Sequence, residues 1–135
     1  MDITKDNIAD LAPKVMSMLE EWKLKPEYVL RMMGLEDLAK PRDLVRFRSK
    51  EKTFPFSTDI VERFEQIIGI YDALHTSHPH SRDMRSLWLR RGHRRFNKVS
   101  PLALMLADGT DGMIRVHIEL DCSYGWSLTD GATKS

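Results

Sequence analysis

The segment NKVSPLALMLADG, residues 97–109, marks both ends of one short helix. Ser100 is a strong N-cap residue, Pro101 fits the first helical position, and Gly109 suits the position after the last turn. Only about eight residues lie between these caps, whereas an isolated helix needs about 12–15 residues to persist in water. We therefore expect this helix to pack against the rest of the chain, against a partner, or against both.

Hydrophobic residues recur at helical spacing along the chain before this segment, and capping residues or prolines separate the runs. The predicted helices cover residues 7–22, 26–33, 41–52 and 58–74, and a fifth helix opens after Ser81. Pro13 predicts that the first helix either begins near Ala12 or is kinked. Gly69 lies inside the broad apolar stripe of the fourth helix and costs about 1 kcal/mol relative to alanine, which indicates close approach by a neighbour.

The segment MIRVHIELDCSYGW, residues 113–126, allows two interpretations. Its apolar residues alternate with polar ones between Ile114 and Cys122, which is typical of a half-buried strand. The same residues also fit a helical face. We favour a helix, because no other segment reads as a strand and a lone strand would have nothing to pair with. The predicted fold is therefore all-α.

Length and composition limit the classes of protein to which the chain can belong. The chain has 135 residues, of which 41% are hydrophobic and 30% charged, with a formal net charge of +1. This length suits one compact domain or two small helical halves. Cys122 is the only cysteine, so no intrachain disulfide can form, and a reducing cytoplasm is expected. We expect no membrane span, since no run approaches about 18 apolar residues, and no signal peptide.

Basic residues are concentrated in two blocks. Residues 40–52 hold six basic and two acidic residues, and residues 82–98 hold seven basic residues and one acidic residue. In the first block, the third helix has Leu44, Val45 and Phe47 as its predicted apolar face. Three short helices with a basic third helix suggest a helix-turn-helix unit. The alternative is a solvated charged face.

The third helix would lie in the major groove of DNA. Arg42, Arg46 and Lys50 are spaced at i, i+4 and i+8 along one side, where arginine can read guanine edges and lysine can neutralise phosphates. The candidate DNA-binding residues are Lys40, Arg42, Arg46, Arg48 and Lys50. The second block contains RRGHRRFNK, residues 90–98, which could contact phosphates, bind an acidic protein surface, or be a solvated loop.

Signals for metal binding and catalysis are weak. His75, His78 and His80 lie in a predicted loop, but no paired cysteines accompany them as in structural zinc sites. Phosphate-binding glycine loops and nucleophile elbows are absent from the sequence. We predict a non-enzymatic protein without metal or cofactor. Tyr124 and Trp126 near the chain end could plug the core or be exposed interface anchors.

Residues 86–126 resemble the toxin-binding domain of Xre/MbcA/ParS-type antitoxins. The residues that carry the resemblance are Trp88 and Leu89, the helix start Ser100, Pro101 and Leu102, the turn glycines Gly109 and Gly112, and the apolar positions Val116 and Leu120. Asn97, Lys98 and Val99 stand where that family usually has glycines. The segment Leu44-Val45-Arg46-Phe47 also departs from the family pattern in the third helix.

This resemblance implies a cytoplasmic all-α homodimer whose partners are a RES-domain, NAD-degrading toxin and the promoter DNA of its own operon. It also implies that the final segment is a helix. The implied organisation is a helix-turn-helix-like region at 1–56, a helical toxin-binding domain at 57–126 and a flexible tail at 127–135. The candidate toxin-binding residues are Ser100, Pro101, Leu102, Arg115, Tyr124, Gly125 and Trp126. An orphan helix-turn-helix regulator or interaction module without a toxin is the alternative.

Overall fold

A computed structural model of the chain describes residues 2–77, 79 and 81–133, with residues 123–133 described by their backbone. Its helices are α1 (Ile8–Glu21), α2 (Pro26–Met33), α3 (Asp43–Ser49), α4 (Thr58–Ser77), α5 (Arg82–Arg90), a 3₁₀ turn (Arg94–Phe96), α6 (Pro101–Asp108) and α7 (Thr110–Thr133). These described ranges contain no strand, only an isolated bridge between His93 and Val99. The all-α prediction is confirmed.

Helix α4 lies at the centre of the fold. It packs most extensively along α7 and also contacts α1 and α2, while α6 contacts α2, α5 and α7. Buried side chains from Ile3 to Leu120 form one hydrophobic cluster, in which Phe64 of α4 is fully covered. Helices from both halves of the chain therefore share one core.

The first two helices follow the sequence prediction closely. Helix α1 begins at Ile8, so the alternative start near Ala12 is wrong, and Pro13 lies inside the helix. Pro26 occupies the first turn of α2, and Gly34 ends that helix with a φ of +81°. Glycine reaches this left-handed conformation without the steric cost that other residues meet.

Helix α3 is shorter than predicted. It begins at Asp43 rather than at Pro41, because the carboxylate of Asp43 accepts a hydrogen bond of 2.9 Å from the Lys40 N–H and holds the preceding residues in a turn. It ends at Ser49, and Lys50, the residue that follows, has a φ of +65°. Val45, predicted on the apolar face, is instead 70% exposed. Only Leu44 and Phe47 of the predicted apolar residues are buried.

Helix α4 extends beyond the predicted end at Leu74. It runs to Ser77, so His75, which the sequence placed in a loop, lies in its last turn. The imidazole Nδ1 of His75 is 2.8 Å from the carbonyl oxygen of Tyr71, one turn earlier in the same helix. At the other end, Ser57 Oγ accepts a hydrogen bond from the Ile60 N–H at 3.2 Å.

The last three helices confirm the predicted caps and settle the ambiguous segment as helix. Ser81 Oγ accepts from the Met84 N–H at 3.1 Å, and Ser100 Oγ accepts from the Ala103 N–H at 3.1 Å. Gly109 has a φ of +61° and turns the chain into α7. Gly112, predicted in that turn, lies in α7 instead.

The close approach predicted at Gly69 is confirmed. A Cβ atom built on Gly69 would lie 2.4 Å from Cε1 of His117 on α7. The His117 ring is also hydrogen-bonded to Gln66 Oε1 at 2.9 Å. Glycine at this position therefore lets the imidazole lie directly on the backbone of α4.

This contact predicts that the effect of Gly69→Ala on stability changes sign when His117 is also replaced. Gly69→Ala should destabilise the protein by about 1–2 kcal/mol, because the new methyl group displaces the His117 ring. In a His117→Ala background the same substitution should stabilise by up to about 1 kcal/mol, since alanine is the better helix former. Urea unfolding of the four proteins measures both values. A stabilising Gly69→Ala in both backgrounds would contradict the packing.

Candidate functional site

The outer face of α3 is the first candidate interaction surface. Arg42, Val45, Arg46 and Ser49 are exposed, while Leu44 and Phe47 turn inward. Positions 42, 45, 46 and 49 lie on one side of a helix because they are three or four residues apart. Arginines flanking an exposed branched apolar side chain can contact guanine edges and thymine methyl groups.

The predicted row of three cations along α3 is wrong in part. Helix α3 has seven residues and contains only Arg46 of the three, since Arg42 precedes the helix and Lys50 ends it in a left-handed conformation. A row spaced at i, i+4 and i+8 needs a helix of more than two turns. The surface that α3 presents is therefore shorter than the sequence suggested.

Two of the candidate DNA-binding cations are held by acids of α1. Arg48 forms an ion pair with Glu20, and Lys50 forms one with Asp10. The hydrogen bond and charge of Lys50 lower the pKa of the Asp10 carboxyl. These contacts give Arg48 and Lys50 a role in attaching α3 to α1, which the sequence could not assign.

Arg46 keeps most of its side chain in solvent. Its guanidinium is 4.0 Å from Asp43, and its side chain is 60% exposed. Asp43 also accepts from the Lys40 N–H and the Lys52 ammonium, and these two hydrogen bonds hold its pKa below the usual value. Arg42 and Lys40 are exposed as well. The cations best placed to reach a ligand from this surface are therefore Lys40, Arg42 and Arg46.

The corner between α6 and α7 is the second candidate surface. Pro101, Leu102, Leu104 and Met105 are buried within the chain, and Leu106 is half-buried. The apolar run of the short helix is thus covered mainly by the chain itself. Its burial and its Ser100 cap fix the direction in which α7 leaves the corner.

Helix α7 carries exposed apolar side chains on its outer face. Ile114 and Ile118, one turn apart, are 38% and 57% exposed. Beside them Arg115 is exposed, with its guanidinium carbon 5.9 Å from the centroid of the Phe96 ring. The predicted contacts Tyr124, Gly125 and Trp126 follow on the same helix, and their side chains lie outside the described residues.

The segment 127–135, predicted as a flexible tail, is assigned to α7 as far as Thr133. Its flexibility in solution stays a prediction.

A charged cluster at the end of α1 was not expected from the sequence. The Glu21 carboxylate accepts from Tyr71 Oη at 2.6 Å and from Arg85 Nη2 at 3.4 Å, and it lies 3.6 Å from Arg82 Nε. Burial alone would raise the pKa of Glu21, but the bonds from Tyr71 and Arg85 hold it below its usual value. The cluster joins α1, α4 and α5. Arg82 and Arg85 of the second basic block are therefore held by the fold.

The described part of the chain has neither a metal site nor a membrane span. In those residues no three His, Cys, Asp or Glu side chains are grouped to hold a metal ion, and no helix is long and apolar enough to cross a membrane. His78 and His80 lie outside them. Comparisons of the chain with known protein families, with curated proteins and with solved structures give no significant match.

Proposed function

We propose that this chain is a cytoplasmic antitoxin of the Xre/MbcA/ParS type. Its region 57–126 would bind a RES-domain toxin and block the NAD-degrading active site, and its region 1–56 would bind promoter DNA of the same operon. The motifs around Ser100 to Leu102 carry the resemblance on which this proposal rests. The protein would act by binding, without catalysis of its own. It would do so as a homodimer, and light scattering on the purified chain tests that oligomeric state.

One observation carries the toxin-binding part of the proposal. The capped corner at Gly109 supports a helix of 24 residues whose outer face exposes Ile114 and Ile118. Exposed apolar residues that are grouped, rather than scattered, mark binding surfaces. A rigid helix with such a face can enter the cleft of a partner, and large apolar anchors contribute most of the affinity of protein interfaces.

Co-purification with the product of the neighbouring gene tests the binding. We expect the unaltered chain to form a complex, and Ile118→Asp to weaken it about 30-fold, the effect of losing a 2 kcal/mol anchor. The matched control is Leu38→Asp, which alters a 61% exposed residue in the other half of the chain. A folded RES-domain neighbour that fails to bind would contradict the proposal.

The exposed face of α3 supports the DNA-binding part. Arg46→Ala should weaken binding to the promoter of the chain's own operon and reduce the salt dependence of log K by about one. Arg48→Ala is the matched control, because Arg48 is held by Glu20 and should change that slope less. Fluorescence anisotropy at several salt concentrations measures both slopes. Equal slopes for Arg46→Ala and the unaltered chain would exclude this contact.

The same face also suits an orphan regulator that has no toxin. The neighbouring gene separates the two: a RES-domain reading frame beside this one supports the antitoxin, and its absence supports the orphan regulator.

A further inference from the structure

The two basic blocks of the sequence meet at the end of α1. Arg48, from the first block, pairs with Glu20, and Arg90, from the second, donates to the carbonyl oxygens of Trp22 and Lys23 at 2.6 and 2.8 Å. Helix α3 and the last residue of α5 are therefore attached at the end of α1 and just after it. The loop that follows α5 holds the remaining cations of the second block.

Three cations of the loop have no partner among the described residues. The side chains of Arg91, Arg94 and Lys98 are exposed and make no hydrogen bond or ion pair there, whereas Arg95 lies 3.6 Å from Glu119. Residues 91–99 contain no carboxylate. The loop thus presents three positive charges that the fold itself does not use.

The loop backbone is fixed, which holds these charges in place. The Lys98 N–H donates to the His93 carbonyl at 2.8 Å, and the His93 N–H donates to the Val99 carbonyl at 3.2 Å. Phe96 is buried beneath the loop, and the His93 ring nitrogen Nε2 is 2.8 Å from the Trp88 carbonyl oxygen. Lys98 itself has a φ of +68°. Non-glycine residues keep this conformation only where their surroundings enforce it.

We propose that Arg91, Arg94 and Lys98 form a second phosphate-contacting surface for double-stranded DNA, in addition to α3. This inference rests on the proposed DNA binding. Arginine and lysine neutralise backbone phosphates and release counterions, and such contacts position a protein on DNA without reading its sequence. Exposed Leu87 and Val99 nearby would also suit an acidic protein. Three exposed cations within eight residues, with no carboxylate among them, match the closely spaced phosphates of a duplex and favour DNA.

Salt-dependent binding to a short duplex of random sequence tests the surface. The loop variant carries Arg91→Gln, Arg94→Gln and Lys98→Gln, and the control variant carries Lys5→Gln, Lys14→Gln and Lys25→Gln. Both lose the same charge from exposed residues. Each phosphate contact contributes about 0.9 to the slope of log K against log salt, so the loop variant should lose between about 2 and 3. The control variant should lose less than about 1.

Three results would overturn the inference. Equal slope losses in the two variants would mean that net charge alone matters, with DNA binding by α3 unaffected. A loop variant that keeps its DNA slope but no longer co-purifies with the neighbouring gene product would make the loop a protein-binding surface. Failure of the unaltered chain to bind either this duplex or its own promoter would remove the proposed DNA binding itself. Circular dichroism melting confirms that both variants are folded.

Discussion

Gly112→Ala is expected to destabilise the protein by about 3 kcal/mol, although alanine is normally the better residue inside a helix. A Cβ atom at Gly112 would lie 2.5 Å from the carbonyl oxygen of Leu104 and 3.1 Å from Cα of Met105. Both are backbone atoms of α6, which no side-chain rotation can move away. The corner between α6 and α7 must open to admit the methyl group, and α7 then leaves it in another direction.

Thermal unfolding followed by circular dichroism measures this effect. A loss of about 3 kcal/mol corresponds to a melting temperature lower by about 10 °C in a protein of this size. Asp111→Ala is the control, because Asp111 is the exposed neighbour in the same helical turn and should cost under about 1 kcal/mol. A Gly112→Ala protein that melts higher than the unaltered chain would show that the two helices do not approach so closely.

Arg63→Ala is expected to cost about 2–3 kcal/mol. The Arg63 side chain is only 17% exposed, and its Nη1 donates to the carbonyl oxygens of Arg31 and Met32 at 3.1 and 3.3 Å. Its Nε donates to Asp59 Oδ2 at 2.9 Å, and Asp59 in turn accepts from Thr110 at the start of α7. One guanidinium therefore links the C-terminal end of α2 to α4, and its partner Asp59 extends the link to α7.

Two further variants distinguish the hydrogen-bonding geometry of the Arg63 guanidinium from the effect of its charge. Arg63→Lys keeps the charge but loses the planar fork, and it should recover less than half of the loss. Arg31→Ala removes an arginine that is 44% exposed and whose one ion pair, with Glu36 at 3.7 Å, is also exposed to solvent. Because solvent screens such pairs, this variant should cost under about 1 kcal/mol. Denaturant unfolding compares the three. If Arg63→Ala lowers the free energy of unfolding no more than Arg31→Ala does, the link through Arg63 does not stabilise the fold.

Local signals in the sequence predicted the end of α2 and the starts of α5 and α6. Ser81 and Ser100 accept the capping hydrogen bonds expected of them, and Gly34 takes the left-handed conformation that ends α2. These features depend on residues within one turn of each other, so the sequence contains the whole cause. The close contact at Gly69 was also predictable, because a glycine inside a strongly apolar helix needs a compensating reason.

Features that depend on distant partners were not predictable. Val45 has the composition of a core residue, but packing leaves it on the outer face of α3. Arg90 reads as part of a solvated basic loop, yet it caps carbonyl groups of Trp22 and Lys23 more than sixty residues earlier. The packing of α1, α3 and α5 decides which cations are held by the fold and which remain free to bind a ligand. The sequence therefore overstated the number of candidate DNA contacts.

The most direct test of the central proposal is inhibition of a RES-domain enzyme. The purified product of the neighbouring gene is titrated with this chain while NAD breakdown is followed. We expect NAD breakdown to fall in proportion to the added chain and to stop at a fixed ratio, and Ile118→Asp to require much more protein than Leu38→Asp. Undiminished NAD breakdown in an excess of the folded, unaltered chain would contradict the proposal that it is an antitoxin.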